Sequence, residues 1–284
     1  MKKSISMLLI LSMAASLAGC AGNAQTQTSA ADSSQAETEA ASSESASENA
    51  AESTTAGSAG EDAEESTADV LSYQEYMDAE LDTEVTIQAY VQAKQSWWEE
   101  QATVYAQDED GAYFIYNMAC PQEDYERLVP GTKIQVTGYK SEWSGEVEIM
   151  DGTFEILEGE EPYIASPLDV TDLLGTDELI EHQNQLVTFQ GMTVEAAGQD
   201  DAGNDVAFLY NWDGSGTEGD DLYFNASCNG ETYTFTVESN LCDSSTQVYS
   251  DVKNLQIGQT INMEGFLYWY EGVNPHITSV TVVE

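Results

Sequence analysis

The stretch LVPGTKIQVTGYKSEWSG (residues 128–145) returns without gaps, 127 residues later, as LQIGQTINMEGFLYWYEG (residues 255–272). Leu128, Gly131, Ile134, Gly138 and Gly145 recur as Leu255, Gly258, Ile261, Gly265 and Gly272. Internal repetition of this kind marks a duplicated structural unit. Working outward, VTIQA (85–89) has its counterpart in VTFQG (187–191). Between these blocks each half carries a hairpin signal. TVYAQ and AYFIYNM flank the turn DEDG, and LYFNAS and ETYTFTV flank the turn CNG. Asp110-Gly111 and Asn229-Gly230 are turn dipeptides between alternating segments.

Each unit therefore predicts a long strand, a two-stranded hairpin, a short helical or irregular link, and two more strands. The first link is PQEDYERL (121–128), with Pro121 at a helix start. The second is the polar stretch 239–254. The second unit also carries extra loop over 198–221. Five strands with the link between the third and fourth is the order of an OB-fold, a small Greek-key barrel. The expected fold class is mostly β: two tandem five-stranded OB-like barrels, one over 71–160 and one over 165–284. VTIQAYV followed by GTKIQVTGYKSEWSGEVEI resembles the OB-fold modules of bacterial secreted and lipid-anchored proteins. In that group an aromatic-x-Gly turn precedes an alternating fifth strand. Trp143-Ser144-Gly145 fits, with Val147 and Ile149 alternating after it. Tyr270-Glu271-Gly272 fits as well, but Asn274-Pro275 then breaks the alternation.

Period 2 places Phe266, Tyr268 and Tyr270 on one face of the second unit's fourth strand, and Leu267 and Trp269 on the other. The first unit places Tyr139, Ser141 and Trp143 opposite Lys140 and Glu142. Phe266 and Tyr139 are the expected core residues. Leu267 and Trp269 either cover the other barrel or face a ligand.

OB-folds commonly hold ligands over strands 2 and 3, between the loop after strand 1 and the loop joining strands 4 and 5. On that frame Trp97 and Trp98 fall in the first loop of unit one and Trp143 in its second. Trp212, Trp269 and Tyr270 fall in the corresponding loops of unit two. Aromatic rings stack on sugars, bases or peptide side chains. These six residues are the candidate ligand site, the competing reading being that they cap barrel ends or pack one barrel on the other.

The N-terminus, MKKSISMLLILSMAASLAGC, joins Lys2 and Lys3, a short apolar run and Leu17-Ala18-Gly19-Cys20. It resembles a bacterial lipobox. That resemblance implies a signal peptide over 1–19, a lipidated (palmitate-bearing) Cys20, and an extracytoplasmic protein anchored in the cell membrane. Residues 20–70, rich in Ala, Ser and Glu, lack the apolar surface to offset chain entropy and read as a disordered tether with a reach of about 40 Å.

The chain holds 52 acidic and 7 basic residues. Eleven acids lie in the tether and two lysines in the leader, leaving a net charge near −36 over 71–284. Nucleic-acid affinity draws mainly on Lys and Arg, so nucleic acid is expected to be unlikely as a partner. Of the cysteines beyond Cys20, Cys228 and Cys242 are the closest in sequence and the candidate disulfide; Cys120 is left over.

Acidic loops at 108–111, 200–205 and 213–221 are oxygen-rich, but none matches a full calcium loop, and no metal or cofactor is expected. His182 and His276 are isolated, so no histidine-based catalytic set is legible. The expected function is a non-catalytic binding or scaffold module for a peptide, glycan or partner protein. The alternatives are a structural spacer with its rings buried between barrels and, further off, a hydrolase built on paired carboxylates.

Overall fold

The computed structural model describes residues 69–283. The expected leader, Cys20 and all but the last two residues of the tether lie outside them. The first barrel is built from β1 (Glu84–Lys94), β2 (Gln101–Gln107), β3 (Ala112–Ala119), β4 (Lys133–Trp143) and β5 (Glu146–Ile156). They close in the order β1-β2-β3-β5-β4. The second uses β6 (Leu186–Glu195), β7 (Leu222–Cys228), β8 (Glu231–Val237), β9 (Thr260–Phe266) and β10 (His276–Val282). Their order, β6-β7-β8-β10-β9, is the same, and β7 pairs with β6 to complete the ring. In both barrels the third and fifth strands meet in parallel, through Phe114↔Glu148 and through Thr236↔His276. The expected OB-like architecture is the observed one. The link helices follow too: α2 (Gln122–Tyr125) starts behind Pro121, and α3 (Gln247–Lys253) lies in the second link. Both barrels belong to one compact unit.

Alternation fills each barrel. Ile134 and Val136 on β4, and Ile261 and Met263 on β9, are wholly or almost wholly buried in their respective cores. The same phase carries on through the repeated glycine. Gly138 and Gly265 face inward where the fifth strand crosses closely. A Cβ on Gly265 would lie 2.2 Å from the His276 carbonyl oxygen, and one on Gly138 would lie 2.7 Å from that of Met150. Ladder registers shift beside both glycines, at Thr137/Tyr139 and at Glu264/Gly265. Only glycine lets the backbones approach this closely at the bend.

Two residues further on, the inward positions are Lys140 and Leu267. Leu267 is fully buried in the second core. Lys140 is buried beneath the helix α1 (Tyr73–Asp78), where its ammonium donates to the Met77 and Ala79 carbonyls at 2.7 and 2.8 Å. A cation at the C-terminal end of a helix meets its orphan carbonyls and its dipole. α1 begins with a capping box between Ser72 and Glu75 and plugs the barrel with Tyr76.

The face assignment from the aromatic run is therefore corrected. Tyr139 is 45% exposed. Phe266 is buried, but against the first barrel and not in the core of its own. The phase of β4 and β9 is set by their aliphatic upstream halves. Tyr139 and Phe266 flank the repeated glycine on the outward face, and in the second unit Phe266 is covered by the other barrel.

A separate cluster joins the barrels: Tyr105, Phe114 and Phe266, with Tyr268 half-buried at its edge. Tyr105 and Phe266 stack at 4.3 Å. Burying rings of this size contributes about 1.5–3 kcal/mol each. Polar contacts cross the same junction. The Val147 N–H donates to Gln183 Oε1 and Gln183 Nε2 donates to the Gly145 carbonyl. The Trp269 N–H donates to Glu146 Oε2 at 2.9 Å, and the Glu271 N–H to the Ser144 carbonyl at 2.8 Å. The two repeated β4–β5 and β9–β10 loops thus touch each other.

The expected Cys228–Cys242 disulfide is not formed; Cys120, Cys228 and Cys242 are free. In the β7–β8 hairpin Cys228 pairs with Glu231 beside the turn, whereas Cys242 follows Val237 at the opposite end. The strand between them spans roughly 20 Å, and a disulfide needs Cα atoms within about 7 Å.

Candidate ligand-binding groove

The loops that bear the predicted aromatics open along one side of the junction. Trp143 closes β4, and Tyr270, its repeat equivalent, lies in the loop after β9. Trp212 comes from the long loop between β6 and β7. All three line one cavity of about 730 Å³, together with Tyr223, Tyr268, Glu271, Asn274 and His276. Their exposures are 60% for Trp143, 48% for Tyr270 and 75% for Trp212, so the rings face solvent and not each other's cores. A second cavity, of about 680 Å³, shares Tyr268 and His276 with the first. It runs toward Trp98 and is lined by amides and hydroxyls, among them Gln95, Asn117 and Asn240. A third, of about 340 Å³, continues past Trp212 and Tyr270 to Asn225 and Thr234. Together they form one groove across both barrels.

Four of the six predicted aromatics, Trp98, Trp143, Trp212 and Tyr270, line this groove. Trp97 does not. Its indole N–H donates to the Cys120 carbonyl at 2.9 Å, pinning the loop after β1 to the end of β3. Trp269 lies outside it too: it packs on the second core and against Gly145, where a Cβ would come within 2.8 Å of its ring.

The floor is Tyr268 and His276, with rings stacked at 4.3 Å. His276 Nδ1 is 2.9 Å from the Tyr105 hydroxyl. Burial pushes its pKa down to about 3, so the imidazole is neutral. The sequence held no signal for this role beyond the placement of Tyr268 on the face of Phe266 and Tyr270. His276 reads as isolated because its partner, Tyr105, is 171 residues away.

Beneath the floor lie Glu146 and Glu148, adjacent on the outward face of β5 and almost fully buried. Burial is the main cause of both shifts, raising Glu146 to about 9 and Glu148 to about 7. The Trp269 N–H and the Asn184 side chain oppose the rise at Glu146 without cancelling it. Glu146 Oε1 and Asn184 Oδ1 are buried acceptors without a donor. A proton on Glu146 supplies one, which agrees with the raised pKa. Neither carboxylate lines the three cavities of the groove.

The acidic loops are knit internally. Asp200 Oδ1 accepts from the Ala202 and Asn204 N–H groups, and Asp108 Oδ1 from those of Asp110 and Gly111. Among the described residues no three acidic, His or Cys side chains converge as metal ligands would.

No protein-family model matches the chain, and no curated protein matches it. Solved structures are similar in fold. One is a Replication Protein A heterotrimer bound to ssDNA, at 12% identity and a TM-score of 0.29, with 71% of this chain covered. This chain spans about half (49%) of that one. A murine DNA-binding protein bound with dsDNA is 10% identical, with a TM-score of 0.31, covering 70% of this chain and 98% of its own. The Ifi202 HINa domain in complex with 20-bp dsDNA is 12% identical at a TM-score of 0.31, covering 72% and 96%. These structures correct the expectation that nucleic acid is unlikely as a partner. Each of the three is a protein bound to DNA.

Proposed function

We propose that the chain is a non-catalytic binding module, anchored through a lipid on Cys20 at the extracytoplasmic face of a cell membrane, that receives its ligand in the inter-barrel groove. The observation that carries this reading is the convergence of Trp143, Trp212 and Tyr270 on one cavity from three loops in two barrels. Large exposed rings are uncommon on a surface with no partner, and clustered rings mark interaction sites. The lipid anchor rests on the N-terminal motif, and release of the protein from membranes by a Cys20→Ser change tests it.

Ligand binding is tested by tryptophan fluorescence against peptides, cell-wall oligosaccharides, partner proteins and single-stranded DNA. A ligand that acts through the groove shifts the emission of the wild type, and the shift shrinks in Trp212→Ala. If no ligand class perturbs the emission, the groove reading fails. The spacer reading then becomes the better one, with the buried Tyr105–Phe266 junction as its support.

A further inference from the structure

The groove's two main cavities carry an uneven charge. Glu99 and Glu238 line the amide-rich cavity and Glu271 lines the aromatic one, while no Lys or Arg lines either. Glu271 is fixed in place. Its backbone sits at φ 54° and its N–H is held by Ser144 of the facing loop. It lines the same cavity as Trp143, Trp212 and Tyr270. Aromatic faces present negative charge density, and with a carboxylate at the rim they favour a cation.

His276 adds an independent feature. It is 6% exposed, it lines both cavities, and Tyr105 engages only its Nδ1. Nε2 has no protein partner among the described residues. A neutral imidazole held this way offers one directed hydrogen bond midway along the groove, and the side-chain amides of Gln95, Asn117 and Asn240 continue the polar path. An extended backbone, with alternating N–H and C=O groups, matches such a row.

Resting on the binding reading above, we propose that the groove takes an extended cationic peptide. A Lys or Arg side chain enters between Trp143, Trp212 and Tyr270 against Glu271, and the peptide backbone passes His276 into the amide-lined cavity.

Calorimetric titration of the full-length chain with a capped nonapeptide of alternating Ala and Lys, and with its Ala/Gln counterpart, tests this. At about 0.15 M ionic strength, where long-range charge is screened, the Lys peptide is expected to bind about tenfold tighter or more. Glu271→Gln and Trp212→Ala should each weaken it about fivefold or more. Glu231→Gln, at the β7–β8 turn outside the groove, should leave it within about twofold, since non-specific attraction to an acidic surface would respond to both glutamates alike. Equal affinity for the two peptides, or equal losses in Glu231→Gln and Glu271→Gln, overturns the proposal. Binding of an oligosaccharide or a DNA strand that is lost in Trp212→Ala, with no preference for the Lys peptide, overturns the cationic ligand but keeps the groove. Silence from every ligand overturns both.

Discussion

Replacing Glu146 by Gln should make the protein more stable, and more so as the pH rises. Glu146 is fully buried where the barrels meet, and burial raises its pKa from 4.5 to about 9. A group whose folded pKa is raised contributes its full share of stability below its unfolded value and loses that share as pH climbs toward the folded one. Each unit corresponds to about 1.36 kcal/mol. At pH 7 the unfolded carboxylate has been ionised for some 2.5 units while the folded one is still held protonated, a loss of about 3 kcal/mol. Gln keeps the acceptor for the Trp269 N–H, and its NH₂ can donate toward Asn184 Oδ1 at any pH, as only the protonated Glu146 can. It does not ionise. Urea unfolding at pH 5 and pH 8 should show a small difference between wild type and variant at the lower pH. At the higher pH the variant should lead by about 3 kcal/mol or more. A variant that is no more stable at pH 8, or that keeps the wild-type pH dependence between the two, would refute the reasoning.

Other outcomes follow from the same contacts. On the acid side His276 acts in the opposite sense: its folded pKa near 3 lies below the 6.5 of a free imidazole, so its share of stability is whole above pH 6.5 and is lost as pH falls toward 3. His276→Gln should flatten that acid limb in a melting-temperature series. Lys140→Met removes two charged hydrogen bonds to the end of α1 and should lower stability by about 1.5–3 kcal/mol, measured by urea unfolding. Gly265→Ala puts a Cβ against the His276 carbonyl and should cost about 2 kcal/mol or more, read as a fall in melting temperature. In a Cys20→Ser chain at neutral pH, Cys228 should react first with a thiol reagent. Burial holds Cys120 and Cys242 back and raises their pKa values to about 11 and 12. Equal rates for all three would contradict the packing described.

The duplicated barrels were legible because their signals are local and occur twice. Glycine turns, two-residue periodicity and the ungapped repeat are properties of neighbouring residues. They place β4 against β9 and α2 against α3 with no knowledge of contacts. The same locality explains the error at Tyr139 and Phe266. Alternation separates two faces but does not say which is inside, and the aliphatic halves Ile134–Val136 and Ile261–Met263 were the better guide. The aromatic loops could be read as a candidate site. Which rings would share a cavity could not, since Trp97 and Trp269 look the same in sequence as Trp98 and Tyr270.

By itself, then, the sequence determined the strand order, the turns, the glycines at the two bends and the acidic character of the chain, all of which depend on residues close together along it. The tertiary structure alone decided that Tyr105 meets Phe266 and His276, that Glu146 is buried against Trp269, and that Trp143, Trp212 and Tyr270 share one groove. The reason is physical. The contacts between barrels depend on how one closed barrel docks on the other, and docking is fixed by shape and buried area over residues far apart along the chain, which no period in the sequence encodes.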